Sequence, residues 1–366
     1  MLVWRGKSLK GGGGAERRFL RLINYFGSKD VFLATNYEWV ADLRKAELAF
    51  DERLILHPPK PLGIPEFNQW LMNLVVEKEP DIVHLVLFQK SLIPFYFWLR
   101  RARKQLGIKV VSSMVWAKFL PAGNPSLLDA QLARYIWNMS ALIDVLYPSA
   151  PKSKWLLPYK DRIRISPCSF TDYEAFVPAE EKANLVSYVG RFIPEKAPFL
   201  FVESVKTLLS NAPRVAEDWT FVMLGEGPLK EKVQRYVINF GLNDKVQLET
   251  AYSSADLLSR SKIYASLYLH TNYPSQSLLE AMATENAIVV TNDEDTKRLV
   301  DENCGILVER RPETIASSFS QLITNDALRE QLGKNARKKV LSTQRIEVFA
   351  KYMEEFWREA LAIDDA

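Results

Sequence analysis

Two cations five residues apart, Arg191 and Lys196, follow a short apolar run in Val189-Gly190-Arg191-Phe192-Ile193-Pro194-Glu195-Lys196. A second loop, Gly225-Glu226-Gly227-Pro228, has the glycines of a tight turn that lets another backbone come close. A third, Tyr273-Pro274-Ser275-Gln276-Ser277, leads into the apolar helix start Leu278-Leu279-Glu280-Ala281-Met282. The N–H groups at a helix start attract anions, and a buried Glu280 within its first turns can accept two hydroxyl hydrogen bonds. Fixed positive charge, a helix N-terminus and a carboxylate at converging strand ends suit a diphosphate joined to a sugar. The cations would neutralise a departing nucleoside diphosphate, and the carboxylate would hold ribose hydroxyls. A solvated cation pair beside an ordinary capped helix would use the same residues.

These loops need strand ends to hold them. In the second half, Leu185–Gly190, Trp219–Gly225, Lys245–Thr250, Ile263–Leu269, Ala287–Thr291 and Gly305–Glu309 read as short strands. Helix-length segments separate them, and Leu229, Val233, Tyr236, Val237 and Phe240 form one amphipathic face. The first half repeats the pattern with Met1–Gly6, Val31–Ala34, Arg53–His57, Ile82–Phe88, Lys109–Val115, Asp144–Tyr147 and Arg162–Ile165. Such alternation predicts parallel sheets covered by helices on both faces. Ligands of such sheets bind beyond the carboxyl ends of the strands, where the three loops lie.

Between the halves, Ser166–Lys182 carries two prolines and no periodicity and reads as a linker. Four glycines, Gly11–Gly14, precede a helix that begins at Ala15 and buries Phe19, Leu22, Ile23 and Phe26. They would let the backbone approach an anion, or would serve only as a flexible turn. Near the end, Ile346, Phe349, Met353, Phe356 and Trp357 make an apolar helical stripe suited to packing back on the first domain. The domains expected are residues 1–168 with helix 345–366, and residues 169–344.

Composition narrows the class. The 366 residues are 48% hydrophobic and 25% charged, as in an average soluble protein. No apolar run approaches the roughly 18 residues of a membrane span, and no export signal is visible, so a cytoplasmic setting is expected. With only Cys168 and Cys304 present, a disulfide framework is excluded, and the three histidines and two cysteines lack zinc-site spacing. The Asp293-Glu294-Asp295 run reads as a surface loop rather than a metal motif. Residues 1–170 carry 25 Lys+Arg against 14 Asp+Glu, whereas residues 171–366 carry 23 against 30. The basic half suggests an anionic partner, with nucleic acid, a membrane surface and a phosphorylated lipid all open on charge alone. Phe95-Tyr96-Phe97-Trp98 followed by Arg100-Arg101-Ala102-Arg103-Lys104 would suit an interfacial helix or a helix packed on the sheet.

Taken together, Val189-Gly190-Arg191…Glu195-Lys196, Leu224-Gly225-Glu226-Gly227-Pro228-Leu229 and Leu279-Glu280-Ala281-Met282-Ala283 resemble the family-4 retaining glycosyltransferases. Gly13-Gly14-Ala15-Glu16-Arg17 is similar to that family's N-terminal glycine turn, and Gly241-Leu242 with Asp244-Lys245-Val246 to a further run. The resemblance spans nearly the whole chain. It implies the GT-B fold, two Rossmann-like parallel-sheet domains facing across a cleft, with the C-terminal helix crossing back to the first. It also implies transfer of a sugar from a UDP- or GDP-linked donor to an acceptor hydroxyl, with retention and without an obligatory metal or other cofactor.

By the same resemblance, Arg191 and Lys196 would hold the diphosphate and Glu280 the ribose. Gly190, Gly225, Glu226 and Gly227 would line the donor pocket, with Thr250 beside the base and Asn272, Ser275, Gln276 and Ser277 around the sugar. Gly13 and Gly14 would face the diphosphate or acceptor, and His84 would contact the acceptor. Expected partners are a glycan or lipid-linked acceptor and an anionic membrane surface at the inner face, not nucleic acid. The chain leaves the family pattern where Asn272 stands for a glutamate and Val86 for a second histidine. Those losses support an alternative, a catalytically weak or inactive scaffold in polysaccharide assembly. A nucleotide-sugar isomerase or hydrolase would need a carboxylate and histidine pair.

Overall fold

The computed structural model describes residues 1–6, 14–27, 30–46, 50–86 and 88–363, and they divide into two units. Of the described residues, the first comprises 1–6, those from Ala15 to Ser169 and the stretch from Ile346, and the second comprises Phe170–Arg345, with Gly14 grouped beside it.

In the first unit the strands are β1 (Leu2–Val3), β2 (Leu33–Ala34), β3 (Ile55–Leu56), β4 (Ile82–Leu85), β5 (Lys109–Met114), β6 (Ile143–Val145) and β7 (Ile163–Ile165). They form one parallel sheet in the order β3-β2-β1-β4-β5-β6-β7. Its helices are α1 (Gly14–Phe26), α2 (Tyr37–Lys45), α3 (Ile64–Lys78), α4 (Ile93–Leu106) and α5 (Leu127–Met139). In the second unit β8 (Leu185–Val189), β9 (Thr220–Leu224), β10 (Val246–Glu249), β11 (Ile263–Ser266), β12 (Ala287–Thr291) and β13 (Gly305–Val308) run parallel in the order β10-β9-β8-β11-β12-β13. Around them lie α6 (Pro198–Asn211), α7 (Lys230–Asn239), α8 (Ala255–Arg260), α9 (Gln276–Ala283), α10 (Pro312–Thr324) and α11 (Asp326–Thr343). A last helix, α12 (Ile346–Ala362), packs in the first unit.

Both sheets therefore have the doubly wound order in which the third, second, first and fourth strands are successive neighbours. In this order the chain reverses direction across the sheet between its first and fourth strands, and the loops there splay into a crevice. The strands between helix layers are apolar because both faces are covered; all five residues of β12 are buried. Phe201, Phe221, Val289 and Phe319 form part of the second core, and Trp4, Trp39, Phe95 and Trp137 part of the first.

Every expected strand has a counterpart, but several are shorter at their carboxyl ends. β4 stops at Leu85, after which Gln89 bonds the backbone of Arg5, its Oε1 accepting from the Arg5 N–H at 2.6 Å. At Arg53 the chain makes a 3-10 turn, Glu52–Leu54, because Asp51 accepts the Arg53 N–H at 3.0 Å. Helix α4 begins with Pro94 in its first turn and ends at Gly107, whose φ of +67° is the usual left-handed stop. Most of its aromatic run faces inward: Phe95 and Tyr96 are fully buried, while Phe97 is half exposed beside Tyr135. A membrane-facing stripe formed by the whole run is thereby excluded. No helix among the described residues is long and apolar enough to cross a membrane.

Candidate functional site

The loops expected to hold the donor meet at the reversal point between β8 and β11. After β8, Gly190 donates its N–H to Leu224 O at 3.0 Å, and Phe192 donates to Glu226 O at 2.8 Å. Leu229 N–H returns to Phe192 O at 3.0 Å, so the buried Phe192 ties the two glycine loops together. A Cβ on Gly225 would lie 2.0 Å from Gly190 O, and one on Gly227 would lie 2.6 Å from Phe192 O. Only glycine permits this approach.

A 3-10 turn, Pro194–Lys196, then ends at Ala197 with φ +49°. Left-handed geometry costs a residue with a Cβ about 1–2 kcal/mol. That strain lies next to Lys196. Its Nζ sits 3.1 Å from the centroid of the Tyr268 ring. The Lys196 carbonyl accepts from Tyr188 Oη at 3.1 Å, and the Glu195 carbonyl accepts from the Leu269 N–H at 2.9 Å. Burial holds the ammonium below the ordinary lysine range, and the charge of Arg191 adds to this, while Tyr268 and Glu195 oppose it. Among the described residues no carboxylate forms an ion pair with Lys196. Arg191 is exposed on the same loop.

Tyr268 joins this ammonium to a cluster of hydroxyls. Tyr268 Oη lies 3.0 Å from Ser275 Oγ and 3.1 Å from Ser277 Oγ, and the two serine oxygens are 3.0 Å apart. Tyr264 Oη donates to Ser277 at 2.9 Å. Burial raises the Tyr268 phenol, but Lys196 and the two serines outweigh it and bring it below the ordinary tyrosine value. Burial keeps Tyr188 and Tyr264 well above that value. Ser275 precedes α9 without capping it, so its hydroxyl remains in this cluster at the helix start. Gln276, by contrast, turns away and donates to Phe170 O at 2.9 Å.

One turn further on, Glu280 is 2% exposed. Its Oε2 accepts from Ser254 Oγ at 2.8 Å and its Oε1 from Thr171 Oγ1 at 3.5 Å. Each carboxylate oxygen retains a second lone pair. The exposed Thr250 forms a separate group with Glu226 and Lys230 at the ends of β9 and β10, in which Lys230 Nζ lies 2.8 Å from Glu226 Oε1.

Two sequence expectations meet a different environment. Asn272 is fully buried; its Oδ1 accepts the Tyr268 N–H at 3.2 Å and its Nδ2 donates to Thr291 Oγ1 at 2.7 Å. It holds the turn between β11 and α9, so its amide is not directed at a sugar. His84 does not line an open acceptor site and is corrected to a core residue. It is 1% exposed, Trp357 Nε1 donates to its Nδ1 at 3.3 Å, and its Nε2 bonds Ser113 Oγ at 2.9 Å. Burial lowers its pKa to about 3, which keeps the ring neutral. Gly13 lies outside the described residues, and Gly14 is the first residue of α1. Asp293 caps the Thr296 N–H at 2.9 Å and Asp295 is buried, so that acidic run is a structured turn rather than a plain surface loop. Among the described residues no cluster of His, Cys, Asp and Glu could hold a metal ion.

Residues 169–339 match the family described as "Glycosyl transferases group 1". That match covers most of the second unit. Its sequence relatives include the Campylobacter jejuni GalNAc-alpha-(1->4)-GalNAc-alpha-(1->3)-diNAcBac-PP-undecaprenol alpha-1,4-N-acetyl-D-galactosaminyltransferase, 26% identical over 182 residues, 49% of either chain. Another is the Escherichia coli UDP-Gal:alpha-D-GlcNAc-diphosphoundecaprenol alpha-1,3-galactosyltransferase, 27% identical over 203 residues, 50% of this chain and 51% of the relative. The chain thus spans about half the length of these curated relatives. Across both units the fold is similar to that of Anabaena HepE in complex with UDP-glucose, with a TM-score of 0.77, 11% identity and 98% and 99% of the two chains covered. Sucrose-phosphate synthase from Thermosynechococcus elongatus matches with a TM-score of 0.76 and 15% identity over 99% of each chain. The two units therefore have the pair of Rossmann-like domains of the GT-B fold.

The sequence pointed to Gly190, Lys196, Ser275 and Ser277, and the structure brings them to one point with Gly225 and Gly227 behind. Reading the sequence did not single out Tyr264, Tyr268, Thr171, Ser254 or Lys230. Lys230 had a signal, since it stands four residues after Glu226 at a helix start. The tyrosines had none, because aromatic residues in and after a buried strand ordinarily read as core.

Proposed function

We propose that this chain is a retaining hexosyltransferase that moves a sugar from a UDP- or GDP-linked donor to an acceptor hydroxyl, without a metal cofactor. The observation that carries the reading is the Lys196 ammonium, without a carboxylate ion pair among the described residues, beside a helix start at the sheet's reversal point. A cation in that setting is electrostatically incomplete until an anion arrives. Arg191 and Lys196 would neutralise the donor diphosphate as the glycosidic bond breaks, which favours the charged leaving group in the transition state. The second lone pairs of Glu280 would accept ribose hydroxyls, with Ser254 and Thr171 fixing the carboxylate plane. Gly225 and Gly227 let the backbone of Gly190 and Phe192 pack against their loop, which would line the donor pocket, and Thr250 would border the base. With retention, the departing phosphate oxygen takes the acceptor proton, so the buried Asn272 is not required as a base. A scaffold that binds no nucleotide would leave the charge at Lys196 without a purpose.

The acceptor would be a glycan or a lipid-linked glycan in surface polysaccharide or glycolipid synthesis, consistent with the undecaprenol-linked substrates named for two relatives. The first unit supports such an encounter at the inner face of a membrane. Helix α4 exposes Arg100, Arg101 and Phe97, and Lys154 lies 5.1 Å from the Trp155 ring. Basic residues near an anionic surface contribute about 1 kcal/mol each. Flotation with anionic vesicles should recover the protein at low salt and lose it at high salt; no recovery at low salt overturns the membrane assignment.

Isothermal titration with UDP and GDP tests the donor site. Lys196→Ala should weaken the preferred nucleotide by about 10- to 100-fold, the range expected for a charge-assisted hydrogen bond. Unchanged affinity in that variant would refute the assignment. A panel of nucleotide sugars, read by slow donor hydrolysis, then identifies the sugar.

A further inference from the structure

The donor reading accounts for a cation at position 196, but not for the aromatic ring beneath it or the hydroxyls bonded to that ring's Oη. A lysine side chain has several rotatable bonds, and an ammonium in a partly desolvated loop would ordinarily turn towards water or a carboxylate. Here it is held 3.1 Å from the centroid of the Tyr268 ring. The ring has little freedom of its own. Tyr268 is 6% exposed, its N–H is held by Asn272 Oδ1 at 3.2 Å, and its carbonyl accepts from Thr291 Oγ1 at 3.1 Å. Its hydroxyl is fixed by both Ser275 and Ser277. Asn272 thus serves the cation through Tyr268, at the position where the chain departs from the glutamate-bearing pattern.

We propose that Tyr268 is a positioning residue for the Lys196 ammonium: its ring seats the cation, and its hydroxyl links that cation to Ser275 and Ser277 at the start of α9, forming a hydroxyl-lined cradle for the donor diphosphate. This rests on the donor reading above. Four contacts join Tyr264, Tyr268, Ser275 and Ser277, and four hydroxyl protons are available to fill them. Ser275 or Ser277 can redirect its proton to a phosphate oxygen while still accepting from a tyrosine, so an arriving diphosphate replaces contacts without leaving a buried hydroxyl unpaired.

The arrangement also sets when the cation is charged. Tyr268 and Glu195 favour the ammonium, whereas burial and Arg191 oppose it. Tyr188 and Tyr264, which pack beside Tyr268, remain neutral. Diphosphate affinity should therefore fall with rising pH, beginning below the range of an exposed lysine. Removing the Tyr268 hydroxyl takes away a group that supports the charge, so the fall should begin at lower pH.

The test is titration of the full chain with UDP, GDP and inorganic pyrophosphate between about pH 7 and pH 10, a window bounded by the ordinary lysine value. Tyr268→Phe keeps the ring and should weaken pyrophosphate and nucleotide together by about 2- to 10-fold, as for loss of one hydrogen bond, with the pH midpoint displaced downwards. Tyr268→Leu also removes the ring and should weaken them by about tenfold or more. Tyr264→Phe removes a buried hydroxyl of the same cluster that does not itself act on the ammonium, so its pH midpoint should stay with that of the unaltered protein. Thermal melts check that each variant is folded, and Tyr268→Phe supplies the test if Tyr268→Leu is not. If the unaltered protein binds neither nucleotide nor pyrophosphate, the donor reading itself fails. If it binds them and Tyr268→Phe retains both affinity and pH midpoint, the donor reading stands and the positioning role is overturned. Equal displacement in Tyr268→Phe and Tyr264→Phe would also overturn it, because the effect would then belong to the cluster as a whole.

Discussion

The two sheets carry polar side chains at equivalent places, and the contrast between them separates structure from function. β4 and β11 are each the fourth strand of their unit and lie next to the first. On β4, His84 has both ring nitrogens engaged, one by Trp357 and one by Ser113. Ser113 donates onward to Asp144 at 2.7 Å, and Asp144 also accepts from Ser166 at 2.6 Å and Tyr352 at 2.8 Å. That network is filled from within the unit and joins α12 to the sheet. Beyond β11, the Lys196 ammonium has the Tyr268 ring and hydroxyl beside it, but no carboxylate ion pair among the described residues. Burial alone does not distinguish these clusters. What differs is whether the charge and hydrogen-bonding capacity are already answered by the protein.

If this contrast holds, the largest effect comes from opening the closed network. Asp144→Ala removes the acceptor of two buried hydroxyls and one half-buried one and should cost about 3–5 kcal/mol in denaturant unfolding, while the folded fraction keeps its UDP affinity. Lys196→Ala should do the reverse, losing about 1.5–3 kcal/mol of diphosphate binding with little change in melting temperature. A loss of stability as large as that of Asp144→Ala would remove the distinction between the two regions.

A smaller effect is expected in acid. His84 stays neutral in the folded protein down to about pH 3 through burial, with Arg18 nearby, whereas its reference value is 6.5. Between these values the unfolded chain binds the additional proton. This contribution to stability is therefore complete above about pH 6.5 and is lost as pH falls, by up to about 1.4 kcal/mol per pH unit. His84→Gln should flatten the slope in urea melts taken across that range. Smallest is Trp357→Phe, which removes the donor to His84 and should cost about 1 kcal/mol, read as a small drop in melting temperature.

The same contrast explains which parts of the molecule were legible beforehand. The alternation of short β-branched runs with helical segments identified each strand, because a parallel sheet covered on both faces requires apolar strands and crossover helices. Gly225 and Gly227 were readable because a close backbone approach excludes every Cβ, and Glu280 because an acid inside an apolar helix start is costly without a role. These are local constraints, each contained within a few consecutive residues. His84 misled for the complementary reason. Its residue type suggests chemistry, but Trp357, 273 positions away, and Ser113 already occupy its nitrogens. Asn272 likewise stands where a sugar ligand was expected, and only the folded turn turns its amide towards Tyr268 and Thr291.

By itself, then, the sequence determined two doubly wound sheets and the loops able to meet a nucleoside diphosphate, since periodicity, glycine geometry and charge are properties of neighbouring residues. The tertiary structure decided which polar groups still have capacity to bind. That depends on partners supplied from distant strands and helices: α12 closes His84, whereas the segment after β11 brings Tyr268 beside Lys196, with Ser275 and Ser277 on its hydroxyl, and leaves the charge to be answered from outside.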